Sequence, residues 1–218
     1  MRSFINIFAC ILDLLYPPRC CFCHKLTKGE KICKECENSL PYTFSNAKQT
    51  DISYISSAVS PLYYKDNVRK SVLRYKFHSA TAYAAPYAEL IAKCIDENGI
   101  NCDIITWVPL SKQRLRSRGY NQAELIGREI SGILDVPCAQ LICKVRNNPA
   151  QSGTGNEARR KANVKGVYKA VDIFEHKGKS VLIIDDVITT GSTVSECAKV
   201  LKEHGYGLIS AASLARSK

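Results

Sequence analysis

"VLIIDDVITTGST", residues 181–193, bears on the fold and the chemistry at once. Val181 to Ile184 are four apolar residues that read as a buried strand, and the strand runs directly into two adjacent carboxylates, Asp185 and Asp186. Like charges side by side repel, and a sheet core solvates them poorly, so this strand end calls for a partner that is positive or rich in hydroxyls. The next residues, Thr189, Thr190, Gly191, Ser192 and Thr193, set backbone amides and hydroxyls at the start of a helix. Helix-terminal amides and the helix dipole together form an anion cradle suited to a phosphate monoester. Acids that accept from sugar hydroxyls, followed at once by a phosphate cradle, describe a site for a phosphorylated sugar such as ribose 5-phosphate. The loop lacks the Gly-Lys-Ser/Thr of a Walker A motif, and the chain shows no dinucleotide-binding fingerprint.

Outward from this strand, apolar runs alternate with helical patterns. "DIITWV" (103–108), "AQLICKV" (139–145), "SVLII" (180–184) and "LISAASLA" (208–215) read as strands, with helices starting at Asn121 and Thr193 between them. That order predicts an α/β fold, a parallel sheet with helices on both faces. Asn121 with Glu124 three residues on has the spacing of a capping box, and Ile126, Ile130, Ile133 and Leu134 follow as an apolar stripe. Val194, Cys197, Ala198 and Leu201 share one face of the second helix, which Gly205 is placed to end. Both helices start just after strand-end loops, where open α/β sheets bind ligands.

The first 45 residues have a different character. "MRSFINIFACILDLLYPP" begins with an amphipathic pattern (Phe4, Ile7, Phe8, Ile11, Leu14, Leu15) that is too short to span a bilayer and is interrupted by Asp13. It predicts a packed helix without stable membrane insertion, with membrane association as the alternative, and lacks the small-residue cleavage site of an export signal. Eleven cysteines in a chain of this kind point to reducing cytoplasm, where clustered thiols hold metal more often than each other. Cys20 and Cys23 form one C-x-x-C pair and Cys33 and Cys36 another, which suits a structural Zn²⁺ bound by four thiolates; reduced core thiols, an Fe–S cluster or a redox pair are the alternatives. Cys21 is expected to point away from the metal, and His24 to occupy the left-handed turn that follows the knuckle. The polar "SNAKQT" at 45–50 reads as a linker. The expected organisation is a helix and zinc-binding segment over 1–50 and an α/β domain over 51–218.

Thirty-one basic against 20 acidic residues give a net charge of +11, which favours an anionic partner. Two basic runs stand out: Arg69, Lys70, Arg74 and Lys76 on one helix, and Arg114, Arg116 and Arg118 in "KQRLRSR". Both are candidates for the phosphates of a single nucleic-acid strand, or solvated faces.

The 181–193 stretch resembles the phosphoribosyl-pyrophosphate (PRPP) signature of type I phosphoribosyltransferases: apolar residues, two acids, two apolar residues, then Thr-Thr-Gly-x-Thr. Over nearly its full length the chain resembles the ComF (ComFC) family of competence-associated proteins. "PPRCCFC…CKEC", "VLRYKFH", "WVPLSKQRLRSRGYNQAELIGREI" and "QSGTGNEARRKANVKGVY" occur in that family's order. The resemblance implies a type I phosphoribosyltransferase fold with an N-terminal zinc ribbon. PRPP would bind with Mg²⁺, its ribose hydroxyls on Asp185 and Asp186 and its 5-phosphate on residues 189–193. A pyrophosphate loop would comprise Pro109, Leu110, Ser111 and Lys112, and a flexible loop within 149–166 would carry Arg159, Arg160 and Lys161. It further implies a role in natural transformation, handling single-stranded DNA. Transfer of phosphoribose to an unidentified acceptor, or PRPP sensing for a competence helicase, are the alternative roles. Two departures matter. Thr189 stands where purine-salvage enzymes carry an acid, and the chain begins Met-Arg without the glutaminase domain of amidophosphoribosyltransferases.

Overall fold

The computed structural model describes residues 17–43, 51–146, 166–171 and 176–217. The helix expected at the N-terminus, the linker expected at 45–50, and Arg159, Arg160 and Lys161 lie outside the described residues. The elements in chain order are α1 (Lys34–Ser39), β1 (Ser57–Val59), β2 (Leu62–Tyr63), α2 (Asp66–Phe77), α3 (Ala84–Glu97), β3 (Ile104–Trp107), α4 (Lys112–Arg118), α5 (Gln122–Leu134), β4 (Ile142–Lys144), β5 (Tyr168–Ala170), β6 (Val181–Ile188), α6 (Ser192–Glu203) and β7 (Ile209–Arg216).

The main sheet runs β1-β7-β6-β3, with β2 also on β7, and every pairing in it is parallel. β1 and β2 are two pieces of one edge along β7, interrupted at Ser60-Pro61, where proline offers no ladder N–H. Ser60 Oγ bonds Ser213 Oγ at 2.7 Å across that break.

Alternation along the strands builds a core on each face. On β6, Leu182 and Ile184 enter the core shared with α2, α3 and α5. Val181 and Ile183 enter the second core, with α6 and the β4–β5 pair. Both helices foreseen from their caps are present. Asn121 Oδ1 accepts from the Ala123 amide at 3.1 Å, and its Nδ2 donates to the Val108 carbonyl at 3.0 Å, fixing the start of α5 to the exit of β3. Glu124 does not close a capping box; it pairs with Arg128 one turn on, at 2.9 Å. Ile126 and Ile130 are fully buried, while Ile133 in the last turn is 48 % exposed.

One strand assignment is corrected. The 139–145 run does not join the parallel sheet. The chain touches the edge of β3 through a single bridge, Ile105 to Cys138, and then turns away. β4 pairs antiparallel with β5 in a separate ribbon, which buries Leu141 and Ile142 against α6. Pro137 lends its carbonyl to Ile105 but has no N–H with which to extend that edge.

The cysteine-bearing segment is tied to the α/β body. Cys20, Cys21, Phe22, Cys36 and Leu40 share the first core with Tyr75 and Tyr87. The chain then continues along β2, with Tyr63 N donating to Pro41 O and Thr43 N to Pro61 O.

Candidate functional site

β3 and β6 finish side by side at the C-terminal end of their strands. Trp107 pairs with Ile184, so the loop Pro109–Lys112 leaves the sheet beside Asp185 and Asp186. Ser111 caps α4, its Oγ accepting from the Arg114 amide at 3.3 Å. The acid pair, the hydroxyl loop and the candidate pyrophosphate loop thus lie at one edge.

β6 continues through the acids to Ile188, and its burial drops at Asp185, Asp186 and Val187. Asp185 Oδ1 accepts from the Asp186 amide at 2.8 Å. Beyond the strand the chain turns through Gly191 at φ +72° and starts α6 at Ser192. A Cβ on Gly191 would lie 2.8 Å from the Ile52 side chain, so conformation and space both demand glycine here. The turn brings Thr190 Oγ1 within 2.8 Å of Ser192 Oγ. Asp185, Thr189, Gly191, Ser192 and Thr193 line one depression with the first turn of α6 beneath it. Its first-turn amides have no intrahelical partner to bond, which suits a tetrahedral anion.

The partner that the acid pair requires is supplied from within the chain. Lys76, on α2, places Nζ 2.8 Å from Asp186 Oδ1, and the two side chains are only 21 % and 13 % exposed. Burial works against the Lys76 charge, but Asp186 and then Asp185 outweigh it and hold the ammonium's pKa above its ordinary value. Asp185 moves the other way from an ordinary acid. Burial, and after it the Asp186 charge, push its pKa up to about 7, against the opposing pull of Lys76 and the Asp186 amide.

Two further cations, Lys144 and Arg118, are each held over a neighbouring ring. Lys144, from β4, lies over the Tyr168 ring at 5.4 Å, and burial together with Arg114 lowers its pKa. Arg118 donates to Gln122 Oε1 at 2.9 Å and covers the Phe77 ring, its guanidinium carbon 5.1 Å from the centroid. It also lies within electrostatic reach of Asp186.

The nucleic-acid candidates therefore divide. Arg69, Lys70 and Arg116 are exposed, and Arg114 and Arg118 partly so. Arg74 and Lys76 do not form part of a free basic face. Lys76 is turned to the acids, and Arg74 donates through Nη2 to the carbonyls of Phe22 at 2.6 Å and Cys21 at 3.0 Å. Positions 74 and 76 lie on the sides of α2 that meet the cysteine segment and the sheet end, which sequence spacing alone did not distinguish from the outer side.

The metal centre follows the sequence closely. The Sγ atoms of Cys20, Cys23, Cys33 and Cys36 all lie within 4.8 Å of one another. Cys23 and Cys33 are 3.6 Å apart, close to the ~3.8 Å edge of a tetrahedron with Zn–S bonds of about 2.3 Å. The Cys33 amide points at Cys20 Sγ at 3.4 Å, as amides of a thiolate knuckle do. Cys21 is buried outside this quartet, and His24 takes φ +66° directly after the knuckle, as expected. Four soft donors with no position left open fit a structural Zn²⁺ ion.

Comparison with known proteins agrees. A family model of the phosphoribosyl transferase domain matches residues 121–218, and one of the double zinc ribbon domain matches residues 11–47. "Competence protein F" of Haemophilus influenzae is 30 % identical over 232 residues, covering 100 % of both chains. The chain belongs to the ComF family of competence proteins. Another relative of this ComF-family chain, "Competence protein ComFC" of Bacillus subtilis, is 24 % identical over 91 % of the chain and 78 % of its own length. "DNA utilization protein YhgH" of Escherichia coli O157:H7 is 32 % identical over 53 % of the chain and 50 % of that protein. The fold is the type I phosphoribosyltransferase fold with an N-terminal zinc ribbon. Among the described residues no helix is long and apolar enough to cross a membrane.

Proposed function

We propose that this ComF-family chain binds PRPP with Mg²⁺ at the end of β6 and handles single-stranded DNA in the cytoplasm during natural transformation. The observation that carries the PRPP reading is the Asp185–Asp186 pair set directly before the hydroxyl-lined first turn of α6, with Lys76 beside it. Asp185 and Asp186 accept from the ribose 2- and 3-hydroxyls, and residues 189–193 take the 5-phosphate. Pyrophosphate lies toward Pro109–Lys112, where Arg114 and Lys144 add positive charge. Mg²⁺ supplies the neutralisation that a ligand with so many phosphate oxygens needs beside two carboxylates. Thr189 offers no general base for a purine acceptor, so the reading is of a PRPP-binding protein, with transfer to an acceptor as an activity it does not require.

The DNA reading is supported by the net charge of +11 and by the exposed cations of α2 and α4, and it agrees with the names of its relatives. Two measurements test it. PRPP with Mg²⁺ is expected to raise the melting temperature, and absence of any shift at saturating ligand counts against the PRPP site. Oligonucleotide binding is expected to weaken steeply with salt, since phosphate contacts release counterions; an affinity indifferent to salt contradicts the DNA reading.

A further inference from the structure

Phe77 ends α2 and is 63 % exposed, although it sits one residue from Lys76 and its largely covered ion pair. A lone exposed aromatic residue needs no explanation. This one has a built setting. The Arg118 guanidinium covers the ring at 5.1 Å, and Arg118 is itself held by Gln122. The last turn of α2 is fastened from below: the Tyr120 hydroxyl donates to the Tyr75 carbonyl, and the Tyr75 hydroxyl donates to the Gln122 carbonyl at 3.0 Å. Leu73 (37 % exposed) precedes Phe77 by one turn of α2, and Leu115 (43 % exposed) precedes Arg118 by one turn of α4.

The exposed charge near this apolar strip is positive, and Asp186, the acid within reach of Arg118, is already paired with Lys76. Arg69 and Lys70 are exposed one turn before Leu73, and α4 places Lys112, Arg114, Arg116 and Arg118 in seven residues without an acid. A protein partner complementary to this surface would need acids at its rim and an apolar centre. A single nucleic-acid strand presents that combination in every nucleotide: a phosphate, and an unstacked base with an open π-face. In duplex DNA the bases are already stacked, so the ring would find no face to meet.

We infer that Phe77 is a base-stacking platform for single-stranded DNA, with Arg118 stacked beside it and Arg69, Lys70 and Arg116 holding the flanking phosphates. This rests on the DNA reading proposed above and narrows it. The strand passes over the C-terminal end of α2 rather than along the whole helix. Stacking is tolerant of base identity, so the platform accepts any sequence.

The test is fluorescence anisotropy with a labelled oligo-dT of about 20 nucleotides and an abasic strand of equal length, titrated with the wild-type chain, Phe77→Ala and Phe77→Trp. Phe77→Ala is expected to weaken oligo-dT binding on the order of tenfold. The slope of log affinity against log salt should stay unchanged, because no phosphate contact is lost. Abasic DNA should bind the two proteins equally, and Phe77→Trp should restore oligo-dT affinity. Equal affinity of Phe77→Ala and wild type for oligo-dT would overturn the platform while leaving the DNA reading intact. An equal loss on the abasic strand would also overturn it, by marking a general disturbance. Failure of the wild-type chain to bind oligo-dT would overturn both.

Discussion

Lys76 Nζ lies 2.8 Å from Asp186 Oδ1, so a helix outside the sheet neutralises one half of an acid pair at the sheet's end. Both partners are largely covered, and removal of one leaves the other's charge without its counter-ion. Lys76→Met is therefore expected to destabilise the chain by roughly 1–3 kcal/mol, below the full range for deeply buried pairs because each side chain keeps some solvent contact. The double variant Lys76→Met/Asp186→Asn should recover much of that loss. Denaturant unfolding of the two singles and the double closes the cycle; strictly additive losses would mean that the pair is not coupled.

Asp185 titrates near 7 rather than in the ordinary acid range, raised by burial and then by Asp186. A carboxyl whose pKa is higher folded than unfolded contributes stability that is fully present below its unfolded value, about 3.8, and is lost as pH rises through about 7. Asp185→Asn should consequently gain thermal stability relative to wild type as pH goes from 5 to about 8. PRPP binding, which uses the ionised form, should strengthen over the same interval in the wild type only. Melting temperatures of the two proteins across that range decide the point, and parallel curves would refute the assignment.

Gly191 is fixed twice over, by φ +72° and by the Ile52 side chain 2.8 Å from where a Cβ would sit. Gly191→Ala is expected to cost on the order of 1–3 kcal/mol and to weaken PRPP binding, because the first turn of α6 must shift. Adding Ile52→Ala removes the clash but not the backbone strain, so the pair should recover stability only in part. Thermal melts with and without PRPP report both effects, and an alanine variant as stable as wild type would refute them.

How much of this was open to sequence reasoning depended on distance along the chain. The acid pair, the Gly191 turn, α6 and the cysteine quartet are contiguous or nearly so, and their residue types constrain geometry directly. Lys76 and Arg118 were visible as charges, but their facing the acids is a long-range consequence of how α2 and α4 meet the sheet. In "VLRYKFH", spacing does not tell which of Arg74, Lys76 and Phe77 turns inward; the need of two adjacent carboxylates for a cation was the available signal. The β4–β5 ribbon escaped for a related reason. Its apolar run reads alike in a parallel sheet and in an antiparallel pair, and its partner comes from residues 168–170.

The zinc segment carries Phe22, fully buried, with its ring 5.8 Å from that of Tyr87 in the first core. Zinc analysis should find about one tightly held equivalent. Its removal by a strong chelator should lower the melting temperature of the whole chain, because the loosened knuckle withdraws Phe22 from that core and the Cys21 and Phe22 carbonyls from Arg74. Calorimetric scans before and after chelation check this, and an unchanged transition would mean that the ribbon contributes nothing to the body.

The central claim is that Asp185 and Asp186 hold the ribose of PRPP, and isothermal calorimetry with PRPP and Mg²⁺ tests it most directly. The wild-type chain should bind, and Asp185→Asn/Asp186→Asn, folded by its own melting curve, should show no measurable heat of binding. PRPP affinity retained in that double variant would contradict the account.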